Sequence, residues 1–141
     1  MKSILIAICF LTSLSILGSA LADSLEIEFT AEDSYGIEVA RVEVGDKVVW
    51  LPTNEGHNVE FLVGPEKFVL PTKSDLDAHY SVVFTIPGVY LYGCTPHKNS
   101  GMLGLIIVGN DFHNLEKIKQ IKLSHVATSV LQRLIKLAQS K

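Results

Sequence analysis

Cysteine is scarce in this chain: there are two among 141 residues, and one of them, Cys9, lies in an apolar N-terminal run. A disulfide framework stapling a small loop-rich fold is therefore excluded, because such folds need several cysteine pairs. A surplus of positive charge is missing as well. Twelve Lys and Arg stand against 15 Asp and Glu, for a formal net charge of −3. Nucleic-acid binders normally carry a basic excess, so that class is set aside. Internal repeats and low-complexity segments are absent, and only one long apolar run occurs. With 48% hydrophobic and 19% charged residues, the composition is that of one globular domain. Disordered, collagen-like and multi-span membrane proteins look different.

The apolar run is MKSILIAICFLTSLSILGSALA, residues 1–22. Lys2 supplies a short positive start, Ile4 to Leu17 are mostly apolar, and Ala20-Leu21-Ala22 has the small-x-small pattern of a signal-peptidase site. The stretch is short for a membrane span, which needs about 20 apolar residues. A signal peptide cleaved after Ala22 is the expectation, leaving 119 residues with Cys94 as their single cysteine. Export places that thiol in an oxidising space, where cysteines usually pair. A lone one is a buried small hydrophobe, a pairing site for another chain, or a metal ligand.

From Leu25 to Val108 the pattern is of short strands. Leu25, Ile27 and Phe29 alternate with Glu26, Glu28 and Thr30. Further apolar runs follow at 37–44, 47–51, 58–63, 80–86, 89–92 and 103–108, punctuated by Gly45-Asp46, Pro52–Gly56, Gly64-Pro65 and Pro87-Gly88. This spacing, with no helical period between the runs, predicts an all-β sandwich or barrel over residues 23–109. The character changes over residues 110–141. Leu115, Ile118 and Ile121 recur at helical spacing, as do Val126, Val130, Leu131, Leu134 and Leu137, with Ser124 placed to cap the second helix. Residues 23–110 carry 13 acidic and 5 basic side chains, whereas residues 111–141 carry 2 and 6. A basic amphipathic tail can lie on an anionic membrane or pack its apolar stripe on the β-domain, and packing requires less of the composition.

The segment with chemistry in it is Gly93-Cys94-Thr95-Pro96-His97-Lys98-Asn99-Ser100-Gly101-Met102. It sets a thiolate, an imidazole and a thioether within nine residues between two predicted strands. A second imidazole, His57, follows the Pro52–Gly56 turn. A Cys, two His and a weak Met are the donor set of a blue-copper electron-transfer site. Taken singly, Met102 could be core filler and His57 an ordinary loop histidine; together they argue for metal. His79, His113 and His125 lack ligand spacing, and Trp50 with the strand aromatics belongs to the core. A donor set with no open position suits electron transfer better than substrate chemistry. A copper carrier or buffer, a metal-using enzyme with an open position, and a zinc-loaded site are the competing readings.

Gly56-His57-Asn58-Val59, Pro87-Gly88-Val89-Tyr90, Cys94-Thr95-Pro96-His97 and Gly101-Met102, with the helical tail, make the sequence resemble the cupredoxins, and among them the pseudoazurins. The resemblance covers nearly all of residues 23–141. It implies a Greek-key β-sandwich with a C-terminal pair of α-helices packed on it. It also implies one type 1 copper held by His57, Cys94, His97 and Met102. Asn58 is then similar to the asparagine whose backbone amide donates toward the cysteine sulfur, with Thr95 as its side-chain partner, and such bonds tune a metal's potential. His97 would be the electron's exit. The implied protein is a periplasmic monomer, not an enzyme, meeting transient redox partners such as a cytochrome or a copper reductase, without stable membrane insertion. Two features differ from the family pattern. Lys98-Asn99-Ser100 replaces an aromatic and small apolar residues, and an acidic β-domain replaces a ring of lysines, which implies a partner of different charge.

Overall fold

The computed structural model describes residues 21–140, so the export-signal reading of residues 1–22 lies, except for its last two residues, outside the described residues. Seven strands follow in order: β1 (Ser24–Glu28), β2 (Val39–Val42), β3 (Lys47–Leu51), β4 (Glu60–Val63), β5 (Tyr80–Val83), β6 (Gly88–Gly93) and β7 (Leu103–Val108). Two helices close the chain, α1 (Leu115–Lys119) and α2 (His125–Gln139). The strands form a three-stranded sheet ordered β1-β3-β5 and a four-stranded sheet ordered β2-β7-β6-β4. Both are mixed, with β1 parallel to β3 and β2 parallel to β7. The expected β-sandwich with a C-terminal helix pair is what the structure shows.

The core between the sheets explains the period-two signal. Ile27, Val48 and Trp50 point inward from one sheet and meet Phe61, Tyr90, Tyr92 and Ile106 from the other. The aromatic rings interlock, with Trp50 edge to face on Tyr92 at 5.1 Å between centroids and Tyr35 tilted against Tyr92 at 4.7 Å. Strands β6 and β7 read differently because they are buried along their whole length. Their other face, Val89, Leu91, Leu103, Leu105 and Ile107, packs against Leu115, Ile118, Ala127, Leu131 and Leu134 of the helices. Covering both faces of a sheet turns an alternating pattern into a continuous apolar one.

The tail is pinned by polar contacts too. Ser124 caps α2, its Oγ accepting from Ala127 N–H at 3.1 Å. Arg133 donates to both carboxylate oxygens of Glu38 at 2.9 and 2.8 Å, a bidentate pair between basic tail and acidic β-domain. Among the described residues, no helix is long and apolar enough to cross a membrane.

Three apolar runs are longer in sequence than the strands they form. Ile37 and Glu38 precede β2, Asn58 and Val59 precede β4, and Phe84 to Ile86 follow β5. The backbone of Val59 bonds Ser74 instead of a neighbouring strand, with Val59 N–H to Ser74 Oγ and Ser74 N–H to Val59 O both at 2.9 Å. Phe84 pairs with the Gly45-Asp46 turn.

Candidate metal centre

The β6–β7 hairpin supplies three of the four predicted ligands. Its ladder ends at the Gly93–Leu103 pair and is prolonged by Cys94 N–H donating to Met102 O at 3.1 Å. The Cys94 carbonyl then accepts from His97 N–H at 3.1 Å and Lys98 N–H at 2.7 Å, while Met102 N–H donates to His97 O at 3.2 Å. A single 3₁₀ turn at Lys98–Ser100 carries the chain round, and Gly101 ends it at φ 103. That conformation belongs to glycine. The loop is thus tied backbone to backbone at each of its three candidate donors.

His57 arrives on the segment leading into β4, the strand that pairs with β6 and sets Glu60 opposite Gly93. Gly56, at φ 88, turns the chain into His57. Asp77 fixes its backbone, with Oδ1 accepting from Gly56 N–H at 2.6 Å and His57 N–H at 3.3 Å, and Asp77 N–H donating to His57 O at 2.8 Å. Phe29 stands edge-on to the imidazole, 5.8 Å between centroids.

These elements bring three donor atoms together. His57 Nδ1 and His97 Nδ1 are 3.1 Å apart, and Cys94 Sγ lies 3.8 Å from the first and 3.5 Å from the second. Atoms sharing one ion through bonds of about 2.0–2.3 Å, at angles of roughly 100–120°, are separated by about 3.1–3.8 Å. The soft thiolate and paired imidazoles also fit copper chemically. His57 is 2% exposed and Cys94 0%. His97 is the open member, with 30% of its side chain in solvent. Met102 is buried at 1% in the same cluster as Cys94.

Burial pushes the Cys94 thiol up, while the backbone N–H groups of Asn58 and His97 pull it down and the Asp33 and Asp77 carboxylates push it up again. The thiolate therefore depends on a cation to hold it. The two ligand segments are laced together by Asn58. Its Oδ1 accepts from Thr95 N–H at 2.7 Å, and its Nδ2 donates to Thr95 Oγ1 at 2.9 Å and Ser74 O at 3.1 Å.

Several groups here carry no sequence signal. Glu60 accepts from Thr95 Oγ1 at 3.0 Å and Lys98 Nζ at 2.6 Å, joining β4 to the hairpin loop. Burial by itself would raise its carboxyl, yet those two donors hold it below the ordinary glutamate value. Asp77 and Asp33 also approach the site from turns far away in sequence. Only their left-handed φ values, 58 and 51, set them apart. Outside the centre, His79 and His125 are exposed and His113 pairs with Asp111 at 2.8 Å. None of the three joins the cluster.

Comparison with known proteins agrees with this geometry. Residues 27–109 match the family described as copper binding proteins, plastocyanin/azurin family. The chain is 39% identical over 88 residues to the pseudoazurin of Paracoccus pantotrophus, covering 59% of this chain and 58% of that one. It is 33% identical over 110 residues to the pseudoazurin of Methylorubrum extorquens, covering 73% and 74%. The chain thus spans little more than half the length of the first relative. The crystal structure of pseudoazurin from Methylobacterium extorquens AM1 superposes with a TM-score of 0.76 at 28% identity, over 83% of this chain and all of that one.

Proposed function

The chain belongs to the plastocyanin/azurin family of copper-binding proteins, and from that premise we propose that it is a pseudoazurin-like carrier of single electrons, holding one type 1 copper through His57, Cys94, His97 and Met102. The observation that carries the proposal is the convergence of Cys94 Sγ and two imidazole Nδ1 atoms within 3.8 Å of one another, in loops braced by backbone and side-chain hydrogen bonds. Copper bound there supplies a reversible one-electron couple. The chain's own residues do the rest. Cys94 Sγ gives up its proton and serves as the thiolate donor. His57 and His97 present neutral Nδ1 atoms. Met102 adds a weak thioether from the core side of the loop. The Asn58–Thr95 lacing and the Asp77 clamp keep these donors in one arrangement, so little has to move when charge changes.

His97 is the open edge, and with the exposed Pro96 beside it forms the surface a partner touches. Electron-transfer encounters bury little area and break quickly. The reading includes export to the periplasm by cleavage after Ala22, and no enzymatic turnover. The test is a visible spectrum of the protein loaded with Cu(II), beside a Cys94→Ser control. Intense thiolate-to-copper charge transfer, bleached by a reductant and missing from the control, is expected. A colourless protein that holds copper only as Cu(I), or that prefers zinc, overturns the proposal in favour of copper handling.

A further inference from the structure

One carboxylate stands against both imidazoles. Asp33 Oδ1 lies 3.7 Å from His57 Nε2 and 3.9 Å from His97 Nδ1. Both distances exceed a direct hydrogen bond, so its influence is electrostatic. The position is built into the fold. Asp33 sits at φ 51 in the Thr30–Ser34 turn, which Thr30 N–H closes onto Ser34 O at 2.9 Å and the two hydroxyls close again at 2.7 Å. Beneath it, Phe29 and Tyr35 form a β-bridge and are buried.

What distinguishes Asp33 from its acidic neighbours is that its charge is uncommitted. Asp77 is occupied by the N–H groups of Gly56 and His57, and Glu60 by Lys98 and Thr95. Lys98, the cation next to His97 in sequence, is thereby neutralised. Among the described residues, no lysine or arginine pairs with Asp33 and no donor hydrogen-bonds to it. With 57% of its side chain exposed, it is partly screened but faces the same solvent that His97 meets. A fixed negative charge there favours the more positive of two metal states. It also attracts an approaching positive surface and repels a negative one.

We infer that Asp33 is a tuning residue of this centre, biasing it toward Cu(II) over Cu(I) and making the approach to His97 selective for electron partners with a cationic face. The inference rests on the electron-carrier reading above and adds the sign of the partner to it.

The test compares Asp33→Asn, which keeps shape and removes charge, with Asp33→Glu, which keeps charge, and with Glu32→Gln, which removes a neighbouring exposed charge. Reduction potentials and competitive Cu(I) and Cu(II) affinities are measured on each. Asp33→Asn is expected to raise the preference for Cu(I) by about threefold to tenfold, a tenfold change being about 59 mV for one electron. Glu32→Gln should give less than half of that, and Asp33→Glu should stay near the parent. Reduced protein is then oxidised by tris(phenanthroline)cobalt(III), a cation, and by ferricyanide, an anion. The raised potential slows both oxidations alike, so the ratio of the cobalt rate to the ferricyanide rate is read: at low salt it should fall in Asp33→Asn, and high salt should restore it toward the parent's. Equal potential shifts for Asp33→Asn and Glu32→Gln overturn the inference, as does a ratio of the two rates that Asp33→Asn leaves unchanged at low salt. A parent protein that never turns blue with Cu(II) overturns the electron-carrier reading itself, which is a different failure.

Discussion

Gly101→Ala puts the bracing of the metal loop to a quantitative test. The glycine ends the 3₁₀ turn at φ 103, and an alanine there carries the left-handed penalty of about 1–2 kcal/mol. Space is short as well. A Cβ at this position would lie 2.8 Å from Val130 Cγ2 on α2, so the helix or the loop must give way. Overpacking of that kind costs about 1–3 kcal/mol. The two together give an expected loss of roughly 2–5 kcal/mol, read by urea unfolding of the metal-free protein at fixed pH. The parts can be separated by a double-mutant cycle. Val130→Ala has its own cost, but in the Gly101→Ala background it opens the space the new methyl needs. The packing share should then return as a favourable coupling of about 1–3 kcal/mol, leaving the backbone share behind. A Gly101→Ala cost below about 1 kcal/mol, or a coupling below about 0.5 kcal/mol, would refute the reasoning that α2 presses on the ligand loop.

Three other perturbations follow from the same contacts. Asn58→Ala removes three hydrogen bonds and strands Thr95 N–H and Ser74 O; a loss of about 2–4 kcal/mol in equilibrium unfolding is expected, with a shifted reduction potential in the copper-loaded protein. Glu60 has a folded pKa below its ordinary value, so its contribution is present above about pH 4.3 and is lost as pH falls through the folded value. The stability gap between the parent and Glu60→Gln should therefore close on acidification, and a gap constant from pH 6 to pH 3 would contradict the Lys98–Glu60–Thr95 link. Leu134→Ala, at a fully buried helix position against β6 and β7, should cost about 2–5 kcal/mol in the same unfolding assay.

Much of this architecture was legible because local periodicity and burial coincide. Leu25 to Thr30 alternates in sequence and also in exposure, and Ser124 caps the helix whose apolar stripe starts just after it. The donors were legible for another reason: Cys94, His97 and Met102 share one hairpin loop, so their spatial relation is nearly a sequence relation. Partners recruited through space left no such trace. Asp33 and Asp77 reach the site from distant turns, and Glu60 reaches the hairpin loop only through the β4–β6 ladder that sets it opposite Gly93; nothing in their residue types foretells it. Asn58 and Val59 misled in the opposite direction. Val59 suits a strand and continues the apolar run into β4, but the Tyr35 hydroxyl donates to Asn58 O at 2.9 Å and Ser74 takes both backbone groups of Val59. Tertiary hydrogen bonds replaced the ladder.

The separation between the donors also governs the order in which the centre comes into being. Cys94 and His97 are three residues apart, whereas His57 is 37 residues from Cys94. The hairpin half can form early, as local loops close on a sub-microsecond scale. The His57 half must wait for the longer-range closure that pairs β4 with β6 and sets Glu60 opposite Gly93, next to Cys94. An unfinished chain therefore offers a metal at most the hairpin's own three donors, Cys94, His97 and Met102, and the complete set of four exists in the native state alone. Selective binding to the native state makes the ion a thermodynamic lock on folding, worth about 2.7 kcal/mol when free metal is a hundredfold above Kd. Metal supply where the chain folds then influences how much of it survives to function.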